Sequence, residues 1–273
     1  MLKLLSALFI LLVLTIAPPA RFPSSRIIEV PQGTDLQTLA IKLKSENMIR
    51  SAFGFRIAAT FIGAERGLKA GHYSFSRRES ALDIALRIKN GDHQIETIKL
   101  TVPEGLTVEE ISNLFGEKFL FFDNALFERI TPEGYLFPDT YFVPITATAS
   151  GTIKLMADNF KRQVKASTTR EIIIMASLLE AELKSREDRE KASDILWKRL
   201  RLGMPLQVDS YMWTYENPGL PERPINNPGL VSIEAALHPT STPYLYFLTG
   251  KDGKTYYART HDEHVVNKQK YLR

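Results

Sequence analysis

The period of the apolar positions changes several times along the chain, and each change marks an element. Arg26 to Val30 alternates as a strand does. Thr34 and Gln37 read as a capping box that starts a helix through about Lys44, and Ser51 as the cap of a second helix to about Ile62. Gly71 to Phe75 reads as a strand. Ser80 starts a helix, and Asn90-Gly91 stops it, because glycine accepts the left-handed conformation that often ends a helix. Gln94 to Val102 is strand-like, with Ile95, Ile98 and Leu100 as its apolar positions. These elements make a small α/β unit. Val30-Pro31-Gln32-Gly33 precedes one capped helix and Val102-Pro103-Glu104-Gly105 another, the second with a Thr107/Glu110 capping box. The echo reads equally well as a duplication and as recurrent turn chemistry.

The C-terminal half has sharper helical signals. Thr168 and Glu171 read as the capping box of a helix to about Leu183, and Ser185 with Asp188 opens the next. Ala192, Ile195, Leu196 and Leu200 recur there at helical spacing until Gly203 and Pro205 stop the pattern. Pro, Asn and Gly then dominate down to Gly229. A short helix from Ser232 to Leu237 precedes a strand-like run from Tyr244 to Leu248. Asp252-Gly253 reads as a hairpin turn, and Thr255 to Ala258 as the returning strand.

The first residues follow a different rule. Lys3 precedes the apolar run Leu4 to Ala17, which only Ser6 and Thr15 interrupt, and Pro18 and Pro19 follow. A spanning helix takes about 20 apolar residues and a signal h-region about 7–15. No small-x-small cleavage site follows the run, so an uncleaved single-pass anchor is expected, with a removed signal peptide as the other reading. The organisation expected is an anchor over 1–20, a Pro/Ser linker over 21–25, a small module over 26–98 and a mixed α+β domain over 99–273.

Composition narrows the chemistry. The net charge of +4 is mild and no dense Lys/Arg tract carries interleaved aromatics, so nucleic acid is a poor partner. The chain has no cysteine, which excludes disulfides, thiolate metal sites and a thiol nucleophile. His261 and His264, even with His238, fit no standard zinc spacing, so neither a metal nor another cofactor is expected. The helix from Glu171 to Leu183 is apolar nearly all round and should be buried. It presents Glu180 and Glu182 on different sides, with Ser177 on the side of Glu180. A carboxyl in apolar surroundings is disfavoured in its charged form, which suits a general acid. A solvent-exposed helix end without a role is the other reading of the same pattern. Gln207, Asp209, Asn226 and Asn227 lie among prolines that stiffen their loops. They suit the hydroxyl and N-acetyl groups of sugars, or equally the turns themselves.

Several blocks of this sequence, in order, resemble the endolytic murein transglycosylases of the YceG/MltG type. They include Pro132-Glu133-Gly134-Tyr135-Leu136-Phe137-Pro138-Asp139-Thr140-Tyr141 and Ala176-Ser177-Leu178-Leu179-Glu180-Ala181-Glu182. Arg199 to Gln207 with Asp209, Gly219-Leu220-Pro221, and Pro224-Ile225-Asn226-Asn227-Pro228-Gly229 continue the match. Glu234 to Pro239, Tyr244-Leu245-Tyr246-Phe247 and Thr260-x-x-Glu263-His264 complete it. The resemblance implies a LysM-like module ahead of a catalytic domain, with an inner-membrane anchor holding both on the periplasmic side. It implies cleavage of MurNAc–GlcNAc bonds in nascent peptidoglycan strands to give 1,6-anhydroMurNAc ends, which terminates strand elongation. Glu180 falls at the family's catalytic position as the single acid and base. Gln207, Asp209, Asn226, Asn227, Glu133, Ser177, Tyr246, Glu263 and His264 are the implied substrate contacts. The implied partners are glycan strands, the membrane, and peptidoglycan synthases of elongation or division. Two departures stand out: Ala181 replaces an expected polar residue, and only Ser210 to Pro218 connects the Asp209 block to Gly219-Leu220-Pro221. The short connection supports an alternative, a membrane-anchored peptidoglycan-binding protein with little or no activity.

Overall fold

The computed structural model describes residues 15–23, 25–65, 67–165 and 168–272. It is a mixed α+β protein that divides into two compact units. One contains the described residues up to Thr97 with Pro144–Thr146; the other contains Ile98–Val143 and Ala147–Arg273. Most of the apolar run expected to anchor the chain lies outside the described residues. Among the described residues no helix is long and apolar enough to cross a membrane.

In the first unit, strand β1 (Arg26–Val30) pairs antiparallel with β2 (Gly71–Phe75), setting Ile28 opposite Tyr73 and Val30 opposite Gly71. Helices α1 (Leu36–Ser45) and α2 (Ala52–Phe61) lie between the strands in sequence, and α3 (Ala81–Asn90) follows them. Ile28, Leu39, Leu43, Phe55, Tyr73, Phe75, Ile84 and Ile88 form the core. The caps are mostly those expected. The Ser51 hydroxyl accepts from Gly54 N–H, Ser80 and Asp83 form a reciprocal capping box, and Gly91 ends α3 at φ 73°. Asp35, not Thr34, caps α1, its carboxylate accepting from the N–H groups of Gln37 and Thr38. A carboxylate at the cap also favours the positive end of the helix dipole. Gly54 admits the chain at Thr15, since a Cβ there would lie 3.1 Å from Thr15 Cβ.

The second unit is mainly helical. Strands β3 (Thr97–Thr101) and β4 (Thr140–Pro144) pair, as do β5 (Tyr246–Thr249) and β6 (Thr255–Ala258). Helices α4 (Val108–Gly116), α5 (Asn124–Ile130) and α6 (Ala149–Gln163) surround a phenylalanine-rich core of Phe115, Phe119, Phe122 and Phe127. The second core is built around α7 (Arg170–Glu182), whose residues Ile173 to Leu179 are all buried. It packs on α8 (Arg186–Arg201) and α10 (Leu230–Leu237). Between these last two, Ser210 to Pro218 contains the single turn α9 (Trp213–Glu216). Helix α11 (His261–Tyr271) packs on the β5–β6 hairpin, which Asp252-Gly253 turns as expected.

The burial expected of α7 is present, but its expected Thr168/Glu171 capping box is not. Thr169 is the cap residue, and its side chain makes no capping hydrogen bond. The apolar contacts of Ile173 to Leu179 outweigh the roughly 1 kcal/mol that a cap contributes. The helices α5, α6 and α11 carry no expectation above. Helix α5 is only seven residues long, and α11 has few apolar positions and no buried residue.

Candidate functional site

Two carboxylates leave the end of α7 and enter different surroundings. Successive helical residues turn by about 100°, so Glu180 and Glu182 point some 200° apart. Glu180 is fastened. Its Oε1 accepts from Arg189 Nη2 at 2.7 Å and its Oε2 from the backbone N–H of Gly229 at 3.0 Å. Both side chains of the ion pair are buried, 6% exposed for Glu180 and 8% for Arg189. Arg189 also donates to Leu183 O, so one guanidinium closes the end of α7 against α8. Glu180 is buried at the end of an apolar helix, as expected, but a cation and an amide hold its two oxygens. The exposed carboxyl of Glu104 lies over Gly229, where a Cβ would overlap it. Burial, then the charge of Glu180, pushes Glu104 up from the usual carboxylate range.

Glu182 opens onto a cavity of about 120 Å³ that it lines with Arg199, Gln207, Asp209, Tyr215 and His264, among others. It also borders a second cavity, of about 180 Å³, whose wall includes Lys184, Ser185, Asp188 and Thr255. The Ser210 N–H donates to Glu182 Oε1 at 2.6 Å. Burial pushes the Glu182 carboxyl up; the Ser210 hydrogen bonds oppose this and the charge of Asp209 adds to it. Burial in this way is a standard route to an acid that keeps its proton toward neutral pH.

The remaining groups of this cavity are held by one another. Tyr215 donates its hydroxyl to Asp209 Oδ1. Burial and that hydrogen bond push the Tyr215 phenol up to about 12, so it stays a donor. Arg199 is buried, and among the described residues no carboxylate pairs with it. Its Nε donates to Pro205 O at 2.9 Å, its Nη2 to Gln207 Oε1 at 2.6 Å, and its guanidinium lies 5.3 Å from the Tyr246 ring centre. Burial pushes its pKa down from the usual arginine value. Gln207 takes φ 53°, a left-handed conformation that costs a non-glycine residue about 1–2 kcal/mol. The Arg199 contact and a Gln207 N–H bond to Thr214 O at 3.0 Å hold it there. Such strain is characteristic of a functional site. His264 stacks on Tyr246 at 5.3 Å, and burial followed by the cations Lys268 and Arg199 pushes its pKa down to about 4. The imidazole is neutral at physiological pH, and among the described residues its buried Nδ1 has no hydrogen-bond partner.

The site residues expected from sequence thus separate into groups. Gln207, Asp209 and His264 line the Glu182 cavity, and Tyr246 packs behind it. Ser177, Asn226, Asn227 and Glu133 are fasteners of the fold. Asn226 Nδ2 donates to Ser177 O, and the Ser177 hydroxyl accepts from Ile225 N–H. Asn227 Oδ1 accepts from Gly134 and Leu136 N–H, while its Nδ2 donates to Glu133 at 2.7 Å. Glu133 in turn accepts from Val108 N–H at the start of α4. Glu263 closes the capping box of α11 with Thr260. Reading for chemistry missed Arg199, Tyr215 and Lys268. A signal existed for Arg199. It lies on the buried stripe of α8 with Ala192, Ile195 and Leu196, and an arginine on an apolar stripe needs an enclosed partner.

The YceG-like family matches residues 28–270. An endolytic murein transglycosylase of Bacillus subtilis (strain 168) is 27% identical over 305 residues, covering 90% of this chain and 84% of the relative. An endolytic murein transglycosylase of Streptococcus pneumoniae serotype 2 is 25% identical over 315 residues. The match covers 88% of this chain but only 57% of that longer protein. Among solved structures, a yceG-like protein of Listeria monocytogenes superposes with a TM-score of 0.55 at 25% identity, over 90% of this chain and all of the other.

Proposed function

The chain belongs to the YceG-like family, and from that premise we propose that it is an endolytic murein transglycosylase whose acid and base is Glu182. The activity is the one named for its B. subtilis and S. pneumoniae relatives. The observation that carries the assignment within the chain is the cavity. Glu182, its proton affinity raised by burial, meets Asp209, Tyr215, Gln207 and Arg199 there, whereas both oxygens of Glu180 are occupied.

The reaction needs one carboxyl and no water. Protonated Glu182 donates to the glycosidic oxygen between MurNAc C1 and the following GlcNAc as that C–O bond breaks. The positive charge on the muramyl C1 is met by the muramyl C6 hydroxyl, whose proton passes to the Glu182 carboxylate as the 1,6-anhydro bond forms. The acid is regenerated, and the products are a new GlcNAc hydroxyl and an anhydro end. Ordinary hydrolysis instead uses two carboxyls and ends on water. Asp209 is the negative charge beside the developing cation, held in place by the Tyr215 hydroxyl. Arg199 and Gln207 supply donors for sugar hydroxyl and acetamido oxygens. The short Ser210 to Pro218 connection supports activity because it contributes Tyr215.

The first unit is proposed as the LysM-like glycan-binding module over residues 26–98, and residues 99–273 as the catalytic domain. The run Leu4 to Ala17 is proposed as an uncleaved single-pass anchor that keeps both on the outer face of the cytoplasmic membrane. The substrate would then be the nascent strand, and the partners the synthases that extend it. The test is incubation of the purified chain with sacculi and mass spectrometry of the products. Anhydro ends from wild type and from Glu180→Gln, with none from Glu182→Gln, support the assignment. Loss in Glu180→Gln while Glu182→Gln stays active returns the acid to Glu180. No anhydro ends from wild type favours the non-catalytic binding protein.

A further inference from the structure

Helix α2 is apolar on both sides, but only one side is covered. Gly54, Phe55, Ala58 and Ala59 are buried against the core of the first unit. On the opposite side, Phe53 is 69% exposed, Ile57 40% and Phe61 87%. The three recur at i, i+4 and i+8, so they form one stripe about 12 Å long. They face an open groove of about 600 Å³, with Arg56 and Thr60 beside them and Asp35 and Glu65 at its edge. The Asp35 carboxylate is already occupied by the cap of α1. A contiguous exposed apolar stripe marks a contact surface.

The chain itself shows what lies nearby. Residues 1–14 precede the first described residue, and their sequence is the apolar run from Leu4 onward. The chain enters the described structure at Thr15, in contact with Gly54, the residue next to Phe53. The segment after it is tied down by Arg50, which donates to Pro18 O, and Arg78, which donates to Pro19 O. The point where the expected anchor ends is thus fixed near the N-terminal end of α2, where the uncovered stripe begins at Phe53. Phenylalanine and isoleucine have no polar handle for a sugar, which argues against a glycan on this stripe. They suit the boundary between headgroups and acyl chains, and Arg56 suits lipid phosphates.

We propose that the outward face of α2, through Phe53, Ile57 and Phe61, is a membrane-contact surface that seats the first unit on the bilayer holding the anchor. The proposal rests on the anchoring reading above. It makes the attachment a fixed seat instead of a free tether.

The absence of cysteine allows a direct test on the full chain. Phe53→Cys, Ile57→Cys, Phe61→Cys and, as a control in the exposed β5–β6 turn, Lys251→Cys are each labelled with an environment-sensitive fluorophore. The proteins are reconstituted in phosphatidylglycerol/phosphatidylethanolamine vesicles with and without a nitroxide-headgroup lipid. Labels at 53, 57 and 61 should shift to the blue and be quenched at least about two-fold more than at 251, as expected for groups at the interface. If the chain floats with the vesicles but the three labels are quenched no more than the control, the seat does not exist and the anchor stands. Labels shielded from water but untouched by the nitroxide mean that protein or glycan covers the stripe, which also overturns it. Failure to float sinks the anchor and this proposal with it.

Discussion

Glu180 and Glu182 are two residues apart on one helix, yet their surroundings follow opposite principles. On the Glu180 side the carboxylate itself is fully answered, although Asn226 Oδ1 nearby is buried without a partner among the described residues. Arg189 and the Gly229 N–H hold the two Glu180 oxygens, and nearby Asn227 joins Gly134, Leu136 and Glu133 in a closed set of bonds. On the Glu182 side the groups are positioned but left able to do more. Among the described residues, buried Arg199 has no counter-ion and His264 Nδ1 no partner, and Gln207 is held in a strained conformation. Satisfied buried polar networks fix a fold. Incompletely satisfied groups beside a cavity are where a ligand can add bonds that the protein lacks. A carboxylate's burial alone therefore does not identify an acid; its partners must be counted first.

The largest expected effect separates the two sides by rate. Glu182→Gln keeps shape but cannot supply the proton, and should lower turnover on glycan strands by about 10²–10⁴, read as the rate of anhydro-end formation. Its melting temperature should stay close to wild type. Next in size is stability. Removing the charge of Glu180 leaves Arg189 buried without its partner, which typically costs about 3–5 kcal/mol. Glu180→Gln should show that loss in denaturant unfolding while its folded fraction remains active. Equal activity loss in both variants at unchanged stability would dissolve the distinction between the sides.

A smaller effect concerns pH. The negative charge of Asp209 contributes to the raised proton affinity of Glu182. Asp209→Asn should therefore move the alkaline limb of the kcat/KM profile to lower pH. The linkage to stability has a definite sign. A carboxyl whose folded pKa is raised binds more protons folded than unfolded. Its favourable contribution is present at low pH and is lost as pH rises from the ordinary carboxylate range through the raised value. Glu182→Gln should flatten that part of the stability–pH curve. The smallest expected effect is at Glu263, which closes a helix cap. Glu263→Ala should cost about 0.3–1.5 kcal/mol in thermal melts and leave the KM for glycan unchanged. A raised KM would make Glu263 a substrate contact.

Much of the fold could be read from the chain because the signals are local. Ser51, Ser80, Thr107, Ser185 and the Asn90-Gly91 and Asp252-Gly253 turns act within a few residues of themselves, and the all-round apolar stretch of α7 could only be buried. The short-range pattern of Gln207 and Asp209 among prolines was enough to mark them as polar groups of interest, whereas His264 was marked only by the resemblance. The division of labour between Glu180 and Glu182 was not local. A helix pattern states that the two point apart, but not what waits on each side. Arg189 comes from the next helix, Gly229 from a loop 49 residues on, and His264 from the last helix of the chain. Asparagine, serine and glutamate look the same in sequence whether they bind a sugar or bind the fold together, because their donors and acceptors are identical. Only the tertiary structure shows that Ser177, Asn227 and Glu133 are held by bonds within the fold, while among the described residues no carboxylate pairs with Arg199 and nothing bonds His264 Nδ1.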